Sequence, residues 1–141
     1  MYDRPDVSEL IDAVRQHLER QVIPAIKGDA KLYFQTLVAA NVLKIALRDL
    51  ALSGDHLQSA WERLNDLHGE IILIPANQQE AVMEMQARNR SLCTTVRAGE
   101  WDAPDHMNAL IVMALANTVD ALAAANPKFL TVIQEELQQR S

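Results

Sequence analysis

AKLYFQTLVAANVLKIALRDLALS, residues 30–53, carries the densest helical signal in the chain. Wound at about 100° per residue, it puts Phe34, Val38, Ile45 and Leu52 on one line. Ala39, Leu43, Ala46 and Leu50 then cover the opposite side. A helix apolar nearly all round is expected to be surrounded by other helices. Asn41 and Arg48, seven apart, stand beside the main stripe, and buried polar groups of this kind must find partners. Two readings stay open for the pair. One is a buried asparagine that sets helix register with an arginine paired to a carboxylate; the other is a polar spot in a groove where a partner docks.

Glycine and proline punctuate what lies on either side. All four glycines and all five prolines fall between or near the ends of periodic segments, as helix boundaries require. A first helix is expected over residues 7–26, with Asp6 and Glu9 in capping-box spacing and a stripe of Leu10, Ile11, Val14, Leu18 and Val22. Pro24 should kink or end it. Gly54 should end the central helix, and Asp55 should cap a third one carrying Leu57, Trp61, Leu64 and Ile71. EIILIPA, residues 70–76, is rich in β-branched side chains and reads as a connector.

Asn77, with Glu80 three residues on, opens a fourth helix whose stripe is Ala81, Val82, Met85, Leu92 and Val96. Glu84 and Arg88 lie four apart on it in the favourable order. Asp102 and Pro104 start a fifth helix, apolar on most sides through its first half and expected beside the central one. Asn126-Pro127 stops it, and residues 128–140 can form a short helix carrying Phe129, Val132, Ile133 and Leu137. No segment alternates with a period of two, so little or no sheet is expected. The fold class is all-α: a compact bundle of five main helices plus a short C-terminal helical segment, forming a single helical domain over residues 1–141.

Composition narrows the function classes. A net charge of −6 and nine Arg with four Lys scattered along the chain argue against a nucleic-acid-binding face, which needs a clustered basic excess. One cysteine, Cys93, excludes a disulfide framework within the chain. The N-terminus lacks the apolar run of a signal peptide, and the longest uninterrupted apolar stretch, residues 109–116, falls short of a membrane span. A soluble cytoplasmic protein with no membrane partner is the expectation.

Catalytic signatures are missing. The sequence has no GxGxxG, GxxxxGK[ST], HExxH or GxSxG, so nucleotide loops and common hydrolase elbows find no support. The residues three before His17, His56, His68 and His106 are Val14, Ser53, Asn65 and Ala103, which rules out the Glu-x-x-His pairs of a di-iron bundle. No metal, cofactor or catalytic residue is expected. His68 lines up with Trp61 and Leu64 and reads as a satisfied histidine near a helix C-terminus, ahead of the alternative of a ligand or base. Asp102 and His106, one turn apart, read as a helix cap with a neighbouring surface histidine. Cys93 borders an apolar stripe and reads as a small core residue. Arg90 and Arg97, seven apart on the opposite side of the fourth helix, are either a solvated face or a pair able to hold phosphate or carboxylate groups.

Four stretches together resemble a small bacterial all-helical family of unknown function. They are RPDVSELIDAVRQHL (residues 4–18), LVAANVLKIALRDL (37–50), VRAGEWD (96–102) and AANPKFL (124–130). Members tend to be encoded beside aminoglycoside-phosphotransferase-like kinases and acyl-CoA dehydrogenases. The resemblance implies a small accessory subunit for such a kinase, in the breakdown of acyl-CoA or hydroxy-acid substrates, rather than a catalyst. Asn41, Arg97 and Asn126 match the polar residues of the family's motifs. This chain departs from the pattern in residues 131–141 and in the insertion-like EIILIPANQQ, residues 70–79.

Two functional expectations follow. The first is a non-catalytic interaction protein that supports a kinase-like partner, with a homodimer also possible because two helices are apolar on most sides. The second is a ligand-binding or catalytic bundle in which Arg48, Arg90 or Arg97 reads an anionic acyl-CoA or a carboxylate. That second reading needs a cavity with convergent polar groups.

Overall fold

The computed structural model describes residues 4–140, and among them there are helices and no strand. Six α-helices follow in order: α1 (Val7–His17), α2 (Ile23–Ala25), α3 (Ala30–His68), α4 (Gln78–Arg97), α5 (Pro104–Ala125) and α6 (Pro127–Gln139). A π-helical turn, Leu18–Val22, joins α1 to α2. The all-α class expected from the sequence holds.

Asp6 opens α1 with a complete capping box. Its Oδ1 accepts from the Glu9 amide at 2.8 Å, and Glu9 Oε2 accepts from the Asp6 amide at 3.0 Å. Pro24 acts where expected. Its ring crowds the carbonyl four residues back and it offers no amide, so the preceding turn widens until the Ile23 N–H donates to the Leu18 carbonyl. Asp29 then caps α3 by accepting from the Leu32 amide at 3.0 Å.

Gly54 does not end a helix. The central and third helices expected on either side of it are one helix of 39 residues, with Asp55 in its interior. A glycine inside a helix costs only about 1 kcal/mol relative to alanine. Burial of Trp61 and Leu64, 1% and 0% exposed, outweighs that several times over. The helix ends instead at Gly69, whose φ of 65° lets the Glu70 amide reach the Asn65 carbonyl at 2.9 Å. Ile71, expected on the third helix, lies beyond it in the connector and is exposed.

Contacts group the chain into two units: Met1–Leu52 with Ala124–Pro127, and Ser53–Ala123 with Lys128–Ser141. In the first unit α3 meets the π turn through Lys44 and Glu19, 2.6 Å apart, and meets the last turn of α5 through Arg48. Among its described residues only Ile23, Ala40 and Ala124 are buried. Phe34, Val38 and Val42 on α3 and Val7, Leu10 and Val14 on α1 are all about half exposed. The expectation that this part of α3 is covered all round is therefore corrected: its neighbours within the unit leave one side open.

The second unit holds the hydrophobic core. Trp61, Leu64, Met85 and Leu92 are buried together, with Leu57, Ile72, Ile74, Leu110 and Met113 packed against them. Residues 70–76 form the expected connector, and three side chains strap it down. Trp61 Nε1 and Asn65 Nδ2 both donate to the Ile72 carbonyl, at 2.7 and 2.9 Å. Arg88 donates to Asn65 Oδ1 at 2.8 Å and stacks 4.7 Å over the Trp61 ring. α5 lies along the C-terminal half of α3, the part expected as a third helix rather than the central stretch 30–53, with Arg63 donating to Asn117 at 2.8 Å and Asp120 at 2.7 Å. By length and composition α5 is apolar enough to cross a membrane. Its uninterrupted apolar run is short because Asn108 bounds it on one side and Asn117 and Thr118 on the other.

Candidate functional site

Two of the concavities in the second unit bring polar and apolar side chains together. The first is a cleft of about 310 Å³ where α3 ends, α4 ends and α5 begins, lined by Leu67, His68, Thr95, Glu100, Trp101 and His106. The turn after α4 builds it. Gly99, at φ 81°, lets the Glu100 amide return to the Thr95 carbonyl at 3.2 Å. A side chain at position 99 would press on Asp102 Oδ2 at 3.1 Å. Trp101 is thereby folded back and fixed, its Nε1 donating to Thr95 Oγ1 at 2.8 Å while that hydroxyl donates to the Leu92 carbonyl at 2.9 Å.

Both histidines flank this indole. His68 meets it edge-on with ring centroids 5.5 Å apart, and His106 lies tilted against it at 6.0 Å. The cleft thus offers two imidazoles and a carboxylate beside one apolar wall, a set suited to holding a small polar molecule. Among the described residues no group of three or more His, Cys, Asp or Glu is arranged to hold a metal ion. His68, read from the sequence as a helix-end histidine on an apolar face, does end α3 but is exposed, and Trp101 is what it touches.

The second concavity is a groove of about 370 Å³ between α3 and α5, with Leu67, Ala109, Val112, Met113 and Ala116 as its apolar lining and Arg63 and Asp66 at its polar edge. Arg63 is held by Asn117 and Asp120.

The residues singled out from the sequence do not converge on either concavity. Asn41 is exposed, which removes the buried, register-setting reading of the two left open for it. Arg48 is half-buried and its Nε donates to the Ala124 carbonyl at 2.7 Å, so it satisfies the C-terminal end of α5 rather than a carboxylate. Arg90 and Arg97 are exposed on α4, and Asn126 is exposed between α5 and α6. Cys93, expected in the core, is an exposed free thiol. Arg88 turns to Asn65 and Trp61, with Glu70 at 3.7 Å.

The sequence reading missed Asn65 and Trp101. Asn65 follows Trp61 by four residues, so a polar side chain on the apolar line was the available signal. Trp101 gave none, because its partners come from three different elements.

A model of a domain of unknown function, DUF6285, matches residues 24–129. The chain belongs to that family. No curated protein and no solved structure matches the chain. The DUF6285 match takes in both concavities and Asn41, Arg48, Arg90, Arg97 and Asn126, together with the connector 70–79. Residues 4–18, the first of the four resembling stretches, and residues 131–141 lie outside it.

Proposed function

We propose that this DUF6285 chain is a non-catalytic accessory protein that binds and supports an aminoglycoside-phosphotransferase-like kinase in the bacterial cytoplasm, within acyl-CoA or hydroxy-acid catabolism. The observation that carries the binding role is the pair of open apolar stripes in the first unit: Val7, Leu10 and Val14 on α1, and Phe34, Val38 and Val42 on α3. Helical faces of this kind are docking surfaces for another protein. Asn41 and the 30–53 stretch share that side of the chain's first half, and Asn126 and Arg97 remain candidate polar contacts. The kinase-like identity of the partner rests on the family resemblance.

The test is affinity purification of the tagged chain from its own host, followed by mass spectrometry. A near-stoichiometric kinase-like companion that disappears with Phe34→Glu supports the reading. Recovery of the chain without it overturns the reading.

A second reading, a ligand-binding bundle for an anionic acyl-CoA or carboxylate, is favoured by the His68–Trp101–His106 cleft. Arg48, Arg90 and Arg97 line neither concavity, so the ligand would be read by the two histidines. Titration calorimetry with acetyl-CoA tests it: heat that vanishes with Trp101→Ala supports it, and no heat overturns it.

A further inference from the structure

We infer that α5 is the seam of a homodimer, seated in the groove between α3 and α5 of a second copy. The argument is independent of the partner proposed for the first unit. α5 is amphipathic in a way its composition hides. Leu110 and Met113 face the core, and Asn117 and Asp120 hold Arg63 of α3. Turned away from these are Ile111, Val112, Leu115 and Val119, between 41% and 61% exposed, with Leu115 the most exposed. Only 11% of the most apolar stretch of the helix is buried. The seven-residue step from Val112 to Val119 is that of a seam between packed helices.

The groove lies directly beside this stripe, and Val112 belongs to both. Knob and hole on one patch are what a twofold contact needs, since each copy must offer both halves of the fit. The small residues Ala109 and Ala116 leave the hole open and let a second helix approach closely.

Charge and area select a second copy as the occupant. α5 carries no Lys or Arg, and its stripe carries no charge at all, so nothing on it specifies a charged partner. At the rim Arg63 is already neutralised by Asp120 of its own chain, which leaves Asp66 as the one charge of the lining without an ion pair of its own in the groove. A 22-residue helix is about 33 Å long and about 11 Å across, so one side of it presents on the order of 600 Å². With the Arg63–Leu67 flank of α3 added, the face approaches the roughly 800 Å² per partner of a stable dimer.

The experiment is light scattering on the eluting full chain over a range of concentrations, for wild type, Leu115→Glu, Ala116→Phe and Phe34→Glu, with circular dichroism to verify folding. Leu115→Glu removes the knob at an exposed position; Ala116→Phe fills the hole and leaves the stripe intact. Wild type and Phe34→Glu are expected at twice the 15.8 kDa chain mass. Leu115→Glu and Ala116→Phe are expected at the single-chain mass, or with a dimer dissociation constant raised at least about tenfold. Wild type at the single-chain mass throughout overturns the inference. So does a dimer that survives both Leu115→Glu and Ala116→Phe, or one that only Phe34→Glu breaks. Wild type that stays monomeric and floats with phosphatidylethanolamine–phosphatidylglycerol vesicles also overturns it, in favour of a lipid-facing α5. Loss of the kinase-like companion in Phe34→Glu is read separately, so either proposal can fail while the other stands.

Discussion

The two units of this chain use opposite means to hold helices together. In the second, Trp61, Leu64, Met85 and Leu92 make a buried core, and polar side chains serve it: Asn65 and Arg88 tie the 70–76 connector over the Trp61 ring. In the first, burial among the described residues stops at Ile23, Ala40 and Ala124, and the links between elements that stand out are polar: Glu19 with Lys44, and Arg48 with the Ala124 carbonyl. Arg15 bridges Asp12 and Glu19, the latter at 2.6 Å, and Glu19 also meets Lys44 of α3 at 2.6 Å. These side chains are between a fifth and a half exposed, and pairs in such settings contribute little each. Val7, Leu10 and Val14 on α1 and Phe34, Val38 and Val42 on α3 stay about half exposed, while Leu18, Leu43, Ile45 and Leu47 are only partly covered. What the contrast teaches is that apolar stripes of similar strength meet different fates: in the second unit they close on a core, with one side of α5 left open, and in the first they stay largely uncovered.

The sharpest way to break that contrast is a matched pair of truncations. Trp61→Ala should lower the free energy of unfolding by about 3–5 kcal/mol, and Ile23→Ala by only about 2 kcal/mol, both read from urea titration. Equal losses would mean that the first unit has a core of its own. Next in size, Asn65→Ala removes the bridge between Arg88 and the Ile72 carbonyl and should cost about 1–3 kcal/mol. Limited proteolysis should then cut near Ile71–Leu73 faster than in wild type. An unchanged cutting rate would show that Trp61 alone holds the connector.

Gly54→Ala should raise stability, by about 0.5–1 kcal/mol. Nothing lies within 4 Å of an added Cβ and the position is interior to α3. A loss of stability would mean that α3 breaks there after all.

The smallest effect is on pH. Hydrogen bonds from Arg15, then Gln16, hold the Asp12 carboxyl below its usual range, and the Lys44 ammonium does the same for Glu19. A depressed carboxyl contributes stability above its ordinary range, near about 4. That contribution is lost as the pH falls through the depressed value. The protection factors of α1 amides, exchange rates taken relative to intrinsic ones, should therefore fall on acidification from pH 6 to pH 3, and Glu19→Gln should flatten the response. An α1 exchange profile independent of pH, after correction for intrinsic rates, would remove the ion pairs from the account.

Much of the fold was legible because its signals are local. The Asp6–Glu9 box, the Asp29 turn, the Asn77 cap and the glycines at 69 and 99 each act within a few residues of themselves. The Gly54 boundary was misread because a local penalty of about 1 kcal/mol competes with burial of Trp61, which no window around Gly54 contains. Exposure was the least legible property. Cys93 was expected inside and lies outside, and the buried one of the two readings of Asn41 fails, since periodicity shows that a helix has an apolar side but not whether anything covers it. The candidate site suffered most. The His68–Trp101–His106 cleft joins three helix ends whose meeting depends on the turn at Gly99 and the length of α3.

The amino-acid order by itself therefore determined the helical class, most helix boundaries and the absence of several familiar catalytic motifs, all of which follow from short-range geometry and composition. Tertiary structure alone decided which apolar stripes became core, which polar residues were strapped to backbone, and where concavities formed. Burial is a property of pairs of elements, and the same stripe on a helix serves as a core or as a docking face according to what the rest of the chain lays against it.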